Sequence, residues 1–525
     1  KNRGGSGCWA RAPFFKADIA SGGWIIKKDR GGVDLSSFNK KAAETVTIDW
    51  KPNKNLDVPL YAQIVTYFTD NISTGNWTGG QNVPSQRQLA REFDVNRSTV
   101  VEAIAELISM GLLETSYGGG TKVTRDSWLH MMHADSSHWK NYVDAGNFYS
   151  NHSAVQLINR FEFEPGYIRM CTGELSPDII QQGLVKRALD HLSEKDLELN
   201  YSNPYGSPGL RTAIQSYLKG KGIEVPISNI LITSGALQAL HLIASGMVPP
   251  KSRVYVESPS YLESLNIFQS TGSYLVPVPM DRSGILPWMI PGTSQGTALL
   301  YTIPTFQNPT GRTMPLERRK ELLMCCLKNN IPVIEDDTLY DLWLDEVPPP
   351  PLKSLDGNNN VIYIGSMSKC FSPGLRVGWV VAPEGVIRRL ADVKMQMDYG
   401  VSSLSQQIAQ ELFESGLYEE GLKNIRDSLR ERRDQMGQLL ERYFSDLAVW
   451  NLPSGGFFIW LRLKGKVLAQ QVFESALKEK ILVPPGSIYD ADCSSCIRLS
   501  YGFLGEEEME SGMVHLSDII RRLNL

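Results

Sequence analysis

The chain has 525 residues, 42% of them hydrophobic, which is more than one ordinary domain holds and enough apolar material for a sizeable core. The formal net charge of −4 excludes a polycation, so any nucleic-acid binding needs a local basic face. No apolar run reaches the length of a membrane span, and residues 1–30 mix charges, glycines and aromatics without the apolar core of a signal peptide, so a soluble, cytoplasmic protein with no membrane partner is expected.

Residues 1–45, with "KNRGGSG" and "KKDRGG", are Gly-rich and basic without a sustained period, and read as a disordered or non-native leader. Residues 56–125 predict a compact module. "PLYAQIVTYFTDNI" spaces Leu60, Ile64, Tyr67, Phe68 and Ile72 as one helical face. Ser85 reads as the N-cap of "SQRQLAREF", and "RSTVVEAIAELISMGLL" is again amphipathic. "LLETSYGGGTKVT" then reads as two short strands around Gly118–Gly120. The order is helix, helix, turn, helix, hairpin. Residues 126–160 are polar and irregular and read as a linker with room for a short helix.

From 161 the pattern changes. Apolar runs such as "RVYVESP", "TALLYTIP", "IPVIEDD" and "VIYIGS" alternate with amphipathic stretches, which predicts a buried, mostly parallel sheet flanked by helices. The runs end on Glu257, Gln307-Asn308, Glu335-Asp336-Asp337 and Ser366, and ligands of open α/β sheets sit at such carboxyl ends. Residues 405–525, with a long charged helix over 419–443, read as a smaller α+β lobe. Seven scattered cysteines make no disulfide framework and fit a reducing compartment. Cys493 and Cys496 lack a second pair or a histidine, so neither a metal site nor a redox role is read there.

"YIGSMSKCFSPGLRVGW" (363–379) carries the chemistry. A phosphate-bearing aldehyde cofactor needs an amine to form an imine, and Lys369 supplies one. It needs hydroxyls, backbone N–H groups and a guanidinium for its phosphate. Ser366 and Ser368 precede the lysine, and Arg376 follows Pro373-Gly374. In "ITSGALQAL", Ser234-Gly235 ends a strand and Ala236 and Leu237 start a helix, whose free N–H groups suit phosphate. A pyridine nitrogen needs a carboxylate, and Asp336 or Asp337 stands at the end of an apolar strand. Asn308 in "QNPTG" can donate to a ring hydroxyl.

At these residues the sequence resembles the aspartate aminotransferase superfamily, the fold-type I pyridoxal-phosphate enzymes. "SMSKCFSPGLRVGW", "NPTG", "NPYGSPGLRTAI", "TSGALQAL", "ESPSY" and "RLSYG" follow one another in that family's order. The resemblance implies pyridoxal 5′-phosphate held by an aldimine at Lys369. It implies Arg376 and Ser366 on the phosphate, the 236–237 backbone as phosphate cup, Asn308 on the ring oxygen, Tyr261 stacked on the ring and Asp336 on the ring nitrogen. Tyr201 would reach the phosphate of a neighbouring subunit, and Arg498 would clamp a carboxylate. Leu339 stands where relatives carry a tyrosine, with Tyr340 shifted by one: either local geometry brings Tyr340 to the ring oxygen or that hydrogen bond is lost.

The 56–125 module resembles the GntR-type winged helix along its length. A helix entering the major groove needs small, polar and basic residues at its start. Arg97, Ser98 and Thr99 fit, with Ser85 and Arg87 on the preceding helix and Gly119 at the wing tip as further DNA contacts. Winged helix, linker and aminotransferase-like body together resemble the MocR/GabR regulators. That implies a homodimer on paired DNA half-sites that senses an amine, an amino acid or the cofactor itself through Lys369. A working aminotransferase with an accessory DNA-binding domain, and a repressor that uses the fold only to dimerise, are the alternatives. The GABA sensor of this type has an arginine two residues after the stacking tyrosine. Here Glu263 stands there and would repel a second carboxylate, which argues against GABA.

Overall fold

A computed structural model describes residues 45–54, 58–73, 76–77, 80–110, 112–116, 120–124, 152–292 and 297–524. The expected leader, apart from Thr45, lies outside the described residues, as do Gly119 and the linker up to residue 151. The chain divides into two compact units, residues 1–135 and 136–525.

In the first unit the apolar face of helix Leu60–Ser73 buries Ile64, Phe68 and Ile72, and it packs on helix Arg97–Ser109. The Ser85 hydroxyl accepts a hydrogen bond from the Gln88 amide and so starts helix Gln86–Glu92. Strands Leu113–Ser116 and Gly120–Val123 pair antiparallel, and Asn82–Val83 adds to the second of them. An aromatic cluster of Trp50, Tyr67, Phe68, Trp77 and Phe93 closes the core. Burying such rings is worth more than the propensities of these short helices, so packing fixes the unit.

The second unit is built on an eight-stranded sheet in the order Ile230–Thr233, Gly378–Val381, Val361–Ser366, Val333–Asp336, Ala298–Thr302, Arg253–Ser258, Tyr274–Asp281, Gly284–Ile285. The strands from Val361–Ser366 to Tyr274–Asp281 run parallel, and Gly378–Val381 runs antiparallel to both its neighbours. Helices cover the sheet, so its central strands are buried on both faces and are continuously apolar in sequence. A second sheet, Ala448–Val449, Phe458–Leu463 and Cys496–Ser500, packs with helices Leu417–Phe444, Ala469–Lys478 and Glu506–Asn524.

Two expectations are corrected here. Helix Ser153–Phe161 falls inside the span read as linker, yet its Ala154 and Ile158 pack on Phe473, Leu482 and Tyr489 of the C-terminal lobe. Strand Ile168–Arg169 also pairs with Ile481–Leu482, so the lobe is completed by residues from before the sheet domain. Ala154, Val155, Leu157, Ile158 and Phe161 give this helix its apolar face, and the surface they pack on lies far along the chain. The second correction concerns the cysteines: the sulfurs of Cys493 and Cys496 are bonded to each other, at the entry to strand Cys496–Ser500. Among the described residues no helix is long and apolar enough to cross a membrane.

Candidate functional site

A cavity of about 520 Å³ opens where the carboxyl ends of the parallel strands face the small sheet. Strand Val361–Ser366 delivers Ser366, and the turn after it delivers Ser368 and Lys369. The Lys369 ammonium donates to the Gly173 carbonyl. Burial, and then the nearby Arg498 charge, hold its pKa below the ordinary lysine value, against the opposing pull of Glu174 and Glu162.

Arg376 sits in the left-handed region at φ 53°, which turns its guanidinium back towards the strand ends. It donates to Ser368 Oγ at 3.2 Å and to the Ser234 carbonyl at 2.7 Å. The neighbouring Gly235 has φ 93°, and a Cβ there would stand 2.9 Å from Arg376 Nη2. Helix Ala236–Met247 starts without a side-chain cap, so the N–H groups of Ala236 and Leu237 face the cavity end unclaimed by a capping group. Ser366, Ser368, Arg376 and this helix start therefore form one cup.

Asp336 ends strand Val333–Asp336 on the cavity side. Its carboxylate accepts from the Tyr301 hydroxyl at 2.8 Å and from the Thr338 hydroxyl at 2.8 Å. Burial raises its pKa, and these donors oppose the rise. Alternate strand residues face opposite sides of a sheet, so Glu335 is turned away and accepts instead from the amides of Leu352 and Lys353. Asp337 bonds Tyr363 and does not reach the cavity, which leaves Asp336 as the acid facing it. Glu257 and Gln307, expected among the converging strand-end groups, bond each other at 3.0 Å in the core behind the site.

Tyr340 is a correction. Asp337 to Tyr340 form a turn, closed by the Tyr340 amide on the Asp337 carbonyl. The turn presents Thr338 and Leu339 to the cavity and swings Tyr340 away, so its hydroxyl meets the Pro348 carbonyl and its ring lies over Lys221. The one-residue shift is not rescued by local geometry. Glu263 is also not among the lining residues. Ser264 and Leu265 are, while Glu263 is half-buried, with a pKa raised by burial and by Asp490. The expected repulsion of a second carboxylate would therefore act from behind the cavity wall and not by direct contact.

Opposite the sheet, Arg498 on strand Cys496–Ser500 is 7% exposed. Its Nη1 donates to Asn308 Oδ1 at 2.9 Å and its Nη2 to the Cys171 carbonyl at 2.6 Å, while its buried Nε has no partner. The Asn308 carbonyl in turn accepts from the Tyr261 amide at 3.0 Å, which places the Tyr261 ring in the cavity wall. Tyr201 does not line the cavity. It is 86% exposed and its ring meets that of Tyr399, with centroids 4.9 Å apart. No motif marks Val155, Ile158, Asn159, Glu162, Cys171 or Tyr489, yet all line the cavity. Their elements are brought there by long-range packing.

On the first unit, Ser85, Arg87, Arg97 and Ser98 are exposed and Thr99 half-buried, at the starts of two successive helices.

Residues 165–516 match the family model "Aminotransferase class I and II", and residues 60–123 match "Bacterial regulatory proteins, gntR family". YisV of Bacillus subtilis (strain 168), described as an uncharacterized HTH-type transcriptional regulator, is 46% identical over 476 residues, 90% of this chain and 98% of its own. The HTH-type transcriptional regulator NorG of Staphylococcus aureus (strain USA300) is 34% identical over 445 residues, 84% of this chain and all of its own. The chain belongs to the MocR/GabR-type transcriptional regulators. Among solved structures, this MocR-type regulator resembles the kynurenine aminotransferase of Pyrococcus horikoshii at 30% identity and TM-score 0.68, over 75% of this chain and 99% of that one. It also resembles LysN, the α-aminoadipate aminotransferase of Thermus thermophilus, at 29% identity and TM-score 0.64, over 71% and 97%. The latter was solved with N-(5′-phosphopyridoxyl)-L-leucine.

Proposed function

We propose that this transcriptional regulator binds pyridoxal 5′-phosphate in the cavity and uses it to sense a small amine or amino acid, while its N-terminal unit binds double-stranded DNA. One observation carries the reading: an amine, a carboxylate, a carboxamide and a phosphate-shaped cup converge on one cavity. The fit is specific. The cup combines a guanidinium, two serines and an uncapped helix start, and a side chain at Gly235 would fill it. The orphaned Nε of the buried Arg498 calls for a further acceptor.

Pyridoxal phosphate, when bound, supplies an aldehyde carbon that exchanges one primary amine for another. The chain's residues define what surrounds that exchange. The lowered pKa of Lys369 keeps more of its amine neutral, hence nucleophilic, than an exposed lysine would have. Asp336 holds a proton-accepting carboxylate at the floor, fixed by Tyr301 and Thr338. Arg376, Ser366, Ser368 and the Ala236 and Leu237 amides take the phosphate. Asn308 binds a ring oxygen, and Tyr261 covers the ring. Arg498 takes the effector's carboxylate, a task suited to a planar guanidinium. Tyr340, turned away from the cavity, is not placed to tune the ring oxygen, which favours sensing over rapid turnover.

A sensor must bind its effector differently in two states of the protein. Helix Ser153–Phe161 is both a wall of the cavity and the first described element after the 125–151 segment, so it is the element through which a change at the cavity reaches the linker. The regulator acts in the cytoplasm as a homodimer on paired half-sites, with Ser85, Arg87, Arg97, Ser98, Thr99 and Gly119 as DNA contacts and the exposed Tyr201 reaching the partner's phosphate cup.

The test is an absorption scan of the purified, cofactor-supplemented chain. A visible band that is absent in Lys369→Ala, and a pyridoxyl-lysine peptide at Lys369 after borohydride, are the expected results. A colourless protein with no labelled peptide overturns the reading. Steady keto-acid production from an amino-acid donor would instead make the protein an enzyme.

A further inference from the structure

Once Lys369, Asp336, Asn308, Arg376 and Arg498 have their roles, one carboxylate of the cavity wall is left without one. Glu162 follows helix Ser153–Phe161, on the wall facing Lys369. Its Oε1 accepts the Thr172 hydroxyl at 2.8 Å, and among the described residues its carboxylate makes no ion pair. Arg169, the nearest basic residue in sequence beyond the helix, does not neutralise it: its Nη1 donates to the Glu162 main-chain carbonyl and its guanidinium lies over the Phe503 ring. The Glu162 charge still reaches the reacting end, where it acts on both the Lys369 ammonium and the Cys171 thiol.

The surroundings fix what this carboxylate can be for. Val155 and Ile158 from the same helix, with Pro484 and Ile488 from the small lobe, give an apolar wall beside it. Glu162 also lines a second cleft of about 380 Å³, with Glu164, Glu508 and Arg169, so acids outnumber bases at this mouth. Arg498, with its unpartnered Nε, supplies the positive end of the same cavity. A ligand matching this set has a primary amine, a carboxylate, a short aliphatic chain and a cationic end.

We propose that the effector is an α-amino acid with a cationic side chain, whose carboxylate sits on Arg498 and whose side-chain cation sits on Glu162. This rests on the sensing reading above and deepens it. A charge-assisted hydrogen bond in a half-buried wall is worth on the order of tenfold in affinity or more. Because Glu162 directly follows the helix that leads out of the linker, occupancy of Glu162 also gives the effector a handle on that helix.

The experiment is a titration of the cofactor-loaded full chain with L-lysine, L-norleucine and L-2-aminoadipate, read by the shift of the visible band and by calorimetry. Lysine should bind about tenfold or more tighter than norleucine, which has the same carbon chain without the charge. In Glu162→Gln that ratio should collapse to within about twofold, and Glu162→Arg should turn the preference towards 2-aminoadipate. Equal affinity for lysine and norleucine in the unaltered protein, or an unchanged ratio in both variants, overturns the inference. In that case a band that still responds to norleucine leaves cofactor-based sensing standing. A chain that forms no band at all overturns both. An intact band in the variants before titration shows that they fold.

Discussion

Arg498 Nη1 lies 2.9 Å from Asn308 Oδ1, joining a residue of the small sheet to the loop that follows strand Ala298–Thr302 of the large one. Both residues line the cavity, so in the proposed reading a carboxylate on Arg498 would be coupled to the group expected on the cofactor ring. Asn308 is also held from behind, its carbonyl accepting the Tyr261 amide.

Replacing Arg498 by glutamine removes the guanidinium and leaves Asn308 in place. Affinity for a carboxylate-bearing effector should fall on the order of 100-fold, the loss expected when a buried charge-assisted pair is deleted. The visible band of the loaded protein should persist. Loss of the band together with effector binding would mean that Arg498 serves the cofactor or the fold instead.

Lys369 gives a pH dependence whose sign follows from its lowered pKa. The cofactor-free folded chain binds fewer protons at this site than the unfolded chain does. Stability therefore rises with pH across the interval between the lowered folded value and the ordinary lysine value of about 10.4, and below that interval the buried ammonium is a standing cost. Lys369→Met should raise the melting temperature of the cofactor-free protein at neutral pH, and the gain should shrink as pH climbs towards that ordinary value. Thermal melts at several pH values check it, and a gain that grows with pH would contradict the lowered pKa.

Gly235→Ala tests the cup. The backbone at φ 93° disfavours any side chain, and the new methyl would press on Arg376 Nη2 at 2.9 Å. Retention of pyridoxal phosphate on dialysis should drop about tenfold or more, because the guanidinium and the helix start can no longer close on one phosphate. Retention equal to the parent's would place the phosphate elsewhere.

In the N-terminal unit, Arg97→Ala and Ser85→Ala should separate DNA contact from folding. Arg97 is exposed, so its loss should leave stability within about 0.5 kcal/mol while weakening DNA binding and, if it meets a phosphate, lowering the log–log salt slope by about 1. Ser85 caps helix Gln86–Glu92, so its loss should cost about 1 kcal/mol of unit stability as well. Binding isotherms at three salt concentrations with parallel thermal melts resolve the two.

The winged-helix order, the alternation of buried strands and helices, and the residues of the cup were legible along the chain because each is written in a short window. Hydrophobic period fixes an element, and serines, a lysine and an arginine within one turn fix a local cup. Asp336 over Asp337 was decided by the sheet, since strand alternation sends neighbouring carboxylates to opposite faces and only the strand's surroundings say which face is the cavity. Tyr340 was lost for a similar reason: the sense of a turn is a matter of its hydrogen bonds and neighbours, and here Pro348 and Lys221 claim the ring. Glu162 and the rest of helix Ser153–Phe161 reach the site only through apolar packing on residues far along the chain, such as Phe473 and Leu482. Contacts of that range leave no mark on local sequence, because any well-shaped apolar face would serve. The sequence by itself thus determined the two units and the serine, lysine and arginine chemistry at the strand ends. Tertiary structure alone decided which residues line the opposite wall of the cavity, because that wall is assembled from segments that meet only after folding.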